Sequence, residues 1–249
     1  MKPADVAIAT MTRARDGREA TLIARALGCL SRTSLPIATA DGGSAPRFVD
    51  AIRQLSGVTV VPPQHPSLVG QVQASLMAAD ATGRPYILYT EPDKRGFFDR
   101  GLVDFVRRAP ANSGVVIAAR SASAFKTFPP FQRLAEAAAN DLCGRVVELN
   151  TDYFYGPFLL HRRLAAAVTR APRTLGWGWR PFLFATAHRL GFPIAAVVGD
   201  YRCPRGQRQE DDGERQHRVR QLAENAAGLI AAVTSPSPDQ LGMTPFGRE

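Results

Sequence analysis

Two carboxylates flanking one proline, Glu91-Pro92-Asp93, are the residues of this chain best suited to chemistry. They follow Tyr86-Ile87-Leu88-Tyr89, a short run of strand formers. Pro92 cannot donate to a sheet ladder, so the strand ends by Thr90 or Glu91 and the carboxylates fall on an irregular tip. Hard divalent cations such as Mg2+ or Mn2+ take oxygen ligands, and many phosphate-handling sites hold the ion with one or two carboxylates while it also binds substrate phosphates. A solvated acidic turn has the same local sequence, so the surrounding chain must decide between the two.

The pattern around the tip alternates strand and helix. Strands are expected at 6–11, 35–40, 58–61 and 86–89, with helices at 20–30, 46–55 and 68–79 between them. Such alternation implies a mostly parallel sheet with helices on both faces. Polar residues gather at the carboxyl ends of these strands: Thr10 and Arg13, then Asp41 in Asp-Gly-Gly-Ser, then Gln64, then Glu91 and Asp93. Ligands of open α/β sheets bind at that rim. The P-loop signature and G-x-G-x-x-G are both absent, so neither an ordinary kinase nor a dinucleotide-binding dehydrogenase is indicated.

Farther on, helices are expected at 99–107, 133–142, 182–190 and 218–233, and strands at 114–119 and 194–198. Residues 121–132 and 170–179 read as loops and 201–216 as a charged hinge, while Gly156 precedes a segment expected to become helical. The Pro-rich 121–132 loop and the charged hinge are expected to be mobile and to close over a ligand.

Composition narrows the class. The chain has 249 residues, 45% of them apolar, enough for one large α/β domain. No run approaches the roughly 18 apolar residues of a membrane span, and charge interrupts the start before a signal-peptide core forms, so a cytoplasmic protein is expected. Its three cysteines, Cys29, Cys143 and Cys203, form no C-x-x-C pair and read as core thiols. The net charge of +9 attracts polyanions, but the arginines are dispersed and not interleaved with stacking aromatics, so nucleic acid is not the expected partner.

Four pieces in order resemble the GT-A fold of nucleotide-sugar glycosyltransferases, particularly the family-2-like and mannosylglycerate-synthase types. They are the first strand with its polar loop (ATMTRARDG), the Asp-Gly-Gly-Ser after the second strand, Glu-Pro-Asp where that fold carries D-x-D, and the late pair FYGPFLLHRRLAAAV and GWGWRPFLFATAHRLG. The resemblance implies a single GT-A-like domain with a mostly parallel central sheet flanked by helices. Residues 1–110 would be its nucleotide-sugar-binding half, 111–234 its acceptor-binding half and 235–249 a flexible tail. It implies transfer of a sugar from a nucleotide-diphosphate sugar, dependent on Mg2+ or Mn2+, to a small-molecule, glycan or anionic acceptor, with a homodimer as the expected assembly.

On that resemblance Thr10, Arg13, Asp41, Gln71, Gln73 and Glu91 would contact the donor, and Asp93 would hold the ion, with His217 the late histidine near the place of a second ligand. Tyr153, Tyr155, Gly156 and Trp177 would line the acceptor pocket. The chain departs from the pattern where inverting relatives place an acidic base, because Trp177-Gly178-Trp179 is followed by Arg180-Pro181. Arginine stays protonated and cannot be that base. Either Asp152 substitutes, or the leaving phosphate accepts the proton, or activity is lost, and Arg180 would then bind an anionic acceptor. A nucleotidyltransferase-like enzyme and a catalytically impaired nucleotide-sugar-binding protein are the alternatives.

Overall fold

The computed structural model describes residues 1–235. In chain order they form β1 (Val6–Thr12), α1 (Gly17–Ser31), β2 (Ile37–Asp41), α2 (Pro46–Arg53), β3 (Val58–Val61), α3 (Leu68–Asp80), β4 (Tyr86–Tyr89), α4 (Arg95–Arg100), α5 (Leu102–Arg108), β5 (Val115–Arg120), α6 (Ala122–Phe125), α7 (Pro130–Val147), β6 (Phe158–His161), α8 (Ala165–Thr169), α9 (Trp179–Arg189), β7 (Ile194–Gly199) and α10 (Asp212–Thr234). The expected α/β class with mostly parallel strands is what forms. The expected tail from residue 235 lies, but for its first residue, outside the described residues. The elements divide into two compact units, 1–108 with 156–165, and 109–155 with 166 onward.

In the first unit the strand order is β3-β2-β1-β4-β6. The first three neighbouring pairs are parallel. Val6, Ala7, Ile8 and Ala9 of β1 and Ile87, Leu88 and Tyr89 of β4 are fully buried, as expected of parallel strands covered on both faces, whose sequences run apolar without alternation. Side-chain caps start two of the covering helices: Asp16 accepts from the Glu19 N–H at α1 and Ser67 from the Gly70 N–H at α3, each cap contributing about 1 kcal/mol.

The helix expected after Gly156 is instead a strand. Phe158, Leu159 and Leu160 are buried and pair antiparallel with β4, Tyr89 opposite Phe158 and Tyr86 opposite His161. Edge-on packing of the Tyr86 and His161 rings at 5.3 Å and tilted packing of the Tyr89 and Phe158 rings at 5.5 Å support the register. The helical-looking Arg162–Leu164 that follows makes only a 3-10 turn before α8.

In the second unit β5 and β7 pair in parallel, Val115 opposite Ile194 through Arg120 opposite Gly199. The stretch expected as a Pro-rich loop contains α6 and the start of α7, where Pro130 occupies a first-turn position that needs no N–H. Helix α9 begins at Trp179, within the expected loop, and α10 begins at Asp212, with the Asp211 carboxylate accepting from the Glu214 N–H. The α10 chain crosses the Gly-Trp-Gly-Trp turn backbone to backbone. A Cβ on Gly228 would collide with the Gly178 carbonyl, and one on Gly178 with the Glu224 carbonyl.

Candidate functional site

The edge of the first unit's sheet is built from three parallel strand ends. Register sets Thr12 of β1 beside Asp41 of β2, and β1 and β4 run level from Val6 opposite Tyr86 to Ala9 opposite Tyr89. The Glu91-Pro92-Asp93 tip therefore leaves the sheet on the same edge as Asp41. The Thr90 N–H still donates to the Ala9 carbonyl at 3.1 Å, and regular pairing stops there, as Pro92 requires.

Asp41 organises the first part of this edge. Its carboxylate accepts from Thr12 Oγ1 at 2.9 Å, Gly43 N at 3.0 Å, Ser44 N at 2.7 Å and Ser44 Oγ at 2.6 Å. Ser44 Oγ in turn accepts from Ala14 N at 2.8 Å, which ties the loop after β1 to the loop after β2. Much of the acceptor capacity of Asp41 is thus spent on holding the two loops together, with only part of its surface exposed. The amide of Gln71 lies buried against Gly42. Gln73, two residues on, faces another side of α3, since helix neighbours lie three or four apart.

Thr10 lies in the sheet interior at 0% exposure, its Oγ1 without a hydrogen-bond partner among the described residues. It is Thr12, one strand period farther on, that reaches the edge. Arg13, next in the chain, is exposed.

At the tip the two carboxylates have different environments. Glu91 is 7% exposed. Continuing the β4–β6 register two positions past Tyr89 and Phe158 sets it opposite Gly156, and its carboxylate occupies the space where a Cβ on Gly156 would stand. Gly156 also has φ +129°, a conformation that side chains disfavour, so glycine is required twice over. Asp93 instead keeps 49% of its side chain exposed and accepts from Lys94 Nζ at 3.3 Å. An exposed carboxylate of this kind suits Mg2+, which keeps several waters and takes one or two protein carboxylates beside substrate phosphates.

The remaining candidates belong to the second unit, and most face inward. Asp152 is gripped by Arg120, whose backbone N, Nε and Nη2 donate at 3.0, 2.6 and 2.8 Å, and by Asn140 Nδ2 at 3.2 Å. Arg120 Nη2 also meets Glu136 at 2.6 Å, and the guanidinium carbon lies 4.6 and 4.3 Å from the Phe125 and Phe128 ring centres. Burial alone would raise the Asp152 pKa, but the hydrogen bonds and charge of Arg120, with help from Asn140, hold it below the ordinary carboxylate value. A carboxylate with lowered proton affinity and both oxygens engaged is poorly suited to deprotonate a hydroxyl.

Tyr153 is a core residue, its ring against Phe184 and its hydroxyl donating to the Leu149 carbonyl. Tyr155 stacks on Tyr201 with ring centres 4.8 Å apart and planes 6° from parallel. Trp177 donates its backbone N–H to Glu224 at 2.8 Å. Arg180 is 5% exposed within α9, its guanidinium carbon 4.9 Å from the Trp177 ring. It therefore packs inside the helix bundle, in the first turn of a helix that begins ahead of the expected residue 182. Sequence reasoning missed Arg120 and Glu224, which hold these segments in place. A lone arginine ending an apolar strand and a glutamate in a polar helix carry no local signature.

His217 is half-buried on α10. Burial, and next the charge of Arg218, lower its pKa against the opposing pull of Glu214 and Glu224, so the imidazole is neutral near pH 7. Among the described residues no three His, Cys, Asp or Glu side chains stand together to hold a metal, and no helix is long and apolar enough to cross a membrane. The expected mobile segments are joined in the structure: Glu210 accepts from the α7 backbone at Phe131 and Gln132, and Thr127 Oγ1 accepts from Cys203 N. All three cysteines are free and buried.

No protein-family model matches the sequence, and a search of curated proteins finds no match. Solved structures do share the fold. The chain is similar to mannosyl-3-phosphoglycerate synthase from Rubrobacter xylanophilus, at 13% identity, with 98% of this chain and 77% of that one covered and a TM-score of 0.62. It is also similar to glucosyl-3-phosphoglycerate synthase from Mycobacterium tuberculosis in complex with phosphoglyceric acid, at 19% identity over 92% of this chain and 81% of that one, TM-score 0.57. A 4-diphosphocytidyl-2C-methyl-D-erythritol synthase is similar at 13% identity over 87% and 97%, TM-score 0.51. At these identities the likeness is one of fold.

Proposed function

We propose that the chain is a glycosyltransferase that moves a sugar from a nucleotide-diphosphate sugar to a small acceptor bearing a carboxylate or phosphate. The observation that carries this reading is the shared sheet edge, where the Thr12–Asp41–Ser44 cradle and the Glu91-Pro92-Asp93 tip leave parallel strands together. The cradle fixes the loops after β1 and β2 at the edge where a nucleoside would lie, exposed Arg13 adds charge for phosphate, and Asp93 offers a carboxylate for Mg2+ or Mn2+. When bound, such an ion neutralises the diphosphate leaving group as a Lewis acid. Buried Glu91 fixes the tip by packing on Gly156, which keeps Asp93 turned outward. The fold shared with two sugar-phosphoglycerate synthases supports the reaction class, and the phosphoglyceric acid in one of them supports an anionic acceptor.

We assign acceptor recognition to the second unit, with half-buried Trp177 as the residue to vary and buried Arg180, packed 4.9 Å from its ring, as the residue that positions it. His217 is the late histidine to test as an additional ligand. The reading carries a cytoplasmic location and a homodimer, which fractionation and light scattering check. Thermal unfolding with UDP-, GDP- and ADP-sugars, with and without Mn2+, tests the donor. A ligand at a hundred times its Kd adds about 2.7 kcal/mol of stability, whereas no shift with any of them removes the reading.

The second reading is a nucleotide-sugar-binding protein without turnover, and it is favoured by the engagement of Asp152 with Arg120. Donor binding without sugar transfer to 3-phosphoglycerate or other anionic acceptors would select it.

A further inference from the structure

We propose that the outward face of α10 is the surface through which two copies of the chain associate, their helices antiparallel about a two-fold axis beside Ala226. This gives the homodimer named above its contact and depends on no part of the donor chemistry.

Helix α10 packs on α9, α7 and the Gly-Trp-Gly-Trp turn, and buries Asn225, Gly228, Leu229 and Ala232. Its outward face carries Val219, Ala223, Ala226, Ile230 and Val233. The steps between them are four, three, four and three residues, which is the heptad spacing of a helix–helix seam. Val219, Ile230 and Val233 are 55, 61 and 50% exposed, and no charged residue interrupts the stripe. Single exposed apolar side chains are normal, whereas two heptads of aligned ones, about 21 Å of helix, make a continuous apolar strip.

The strip is symmetric about its own middle. Reversed end for end about Ala226, Val219 exchanges place with Val233 and Ala223 with Ile230 to within one residue, so two antiparallel copies match as an isologous interface requires. Small side chains sit where the helices cross: Ala226, with exposed Ala227 beside it, permits close approach. Charge sets the direction. Arg215 and Arg218 pair within the helix, with Asp212 and Glu214, and no charged residue occurs from Asn225 to Thr234. Arg220, exposed beside Val219, would face its own counterpart in a parallel pair. In an antiparallel pair it lies by the uncharged last turn of the other copy, where the helix dipole favours a cation. Each α10 is already fixed by its inward packing, so association does not bear the ordering cost of a free helix. Two heptads are a small interface, and a reversible dimer with a Kd on the order of micromolar follows.

Sedimentation equilibrium of the full chain reads the association. Ile230→Glu should weaken it roughly tenfold or more while leaving the thermal midpoint unchanged, because the side chain is exposed in the single copy. Leu22→Glu, at a comparably exposed apolar position on the first unit, should leave the dimer intact. Oxidative cross-linking reads the geometry. Ala226→Cys should link to itself, and Val219→Cys and Val233→Cys should link when mixed and not alone. Wild type supplies the blank, since Cys29, Cys143 and Cys203 are buried. A monomer at every concentration overturns the proposal, and if a chain ending at residue 235 then dimerises, residues 236–249 are the strip's occupant instead. A dimer that Ile230→Glu leaves intact, or in which Val219→Cys links to itself, also overturns it. Each of these failures leaves the donor reading standing.

Discussion

The two units place similar polar residues at the ends of parallel strands and use them in opposite ways. In the first unit Asp41 and Asp93 lie at the edge, one gathering loops and the other half exposed. In the second, Arg120 ends β5 but turns inward, where it meets Asp152 and Glu136 between two phenylalanine rings. Both sets of charged groups belong to strand ends or the loops near them, and burial separates them. A carboxylate that water reaches can exchange partners, whereas one closed in with a guanidinium is part of the architecture. The Gly-Trp-Gly-Trp turn teaches the same lesson: its second glycine admits a crossing helix, and the backbone N–H of its first tryptophan donates to the Glu224 carboxylate.

The comparison breaks most visibly at Arg120. Arg120→Met leaves two buried carboxylates without their cation and should cost about 3–5 kcal/mol in urea unfolding. A loss under about 1 kcal/mol, the range of exposed pairs, would show that the cluster is hydrated and that the contrast between the units is false.

Gly156 tests the edge from its supporting side. Gly156→Ala should cost about 1–3 kcal/mol, from its positive φ and from displacing the Glu91 carboxylate. Adding Glu91→Ala should return part of that loss, because the collision disappears and only the backbone strain is left. Equal stability of single and double variants would separate Glu91 from Gly156.

Acid sharpens the contrast further. The folded-state pKa of Asp152 is depressed, so the stability it contributes is complete above the ordinary carboxylate value and is lost as pH falls through the depressed one. Asp152→Asn should lower stability at pH 7 and flatten this acid limb, as followed by unfolding midpoints from pH 7 down to 2. An unaltered acid limb would place the responsible carboxylates elsewhere.

The smallest effect on stability is expected at Asp93. Asp93→Ala should change unfolding free energy by no more than about 0.5 kcal/mol, as exposed surface changes do. It should nevertheless abolish the strengthening of nucleotide-diphosphate binding by Mn2+, read by calorimetry. Metal-dependent affinity equal to wild type would remove Asp93 as the ion's ligand.

Local sequence determined the alternation of apolar strands and helices through residue 89, because parallel strands buried on both faces are continuous apolar runs and proline ends them. It also marked the strand tip at Glu91-Pro92-Asp93 and the Asp41 turn, since Asp-Gly-Gly-Ser supplies a short acceptor and a flexible backbone within four residues. The start of α10 was not read: the helix was expected from 218, and the Asp211 cap that begins it at 212 lay hidden in the charge of the expected hinge. Tertiary structure decided the rest. Phe158-Leu159-Leu160 is a strand because β4 offers it an open edge, and its own residues suit a helix as well. Thr10 is interior and Thr12 is at the rim because register against β2, set over many residues, fixes where the sheet ends. The fates of Asp152, Tyr153 and Arg180 depended on partners such as Arg120 and Phe184, which stand tens of residues from some of them. Burial is a property of contacts distant in sequence, and no local pattern of charge or spacing encodes it.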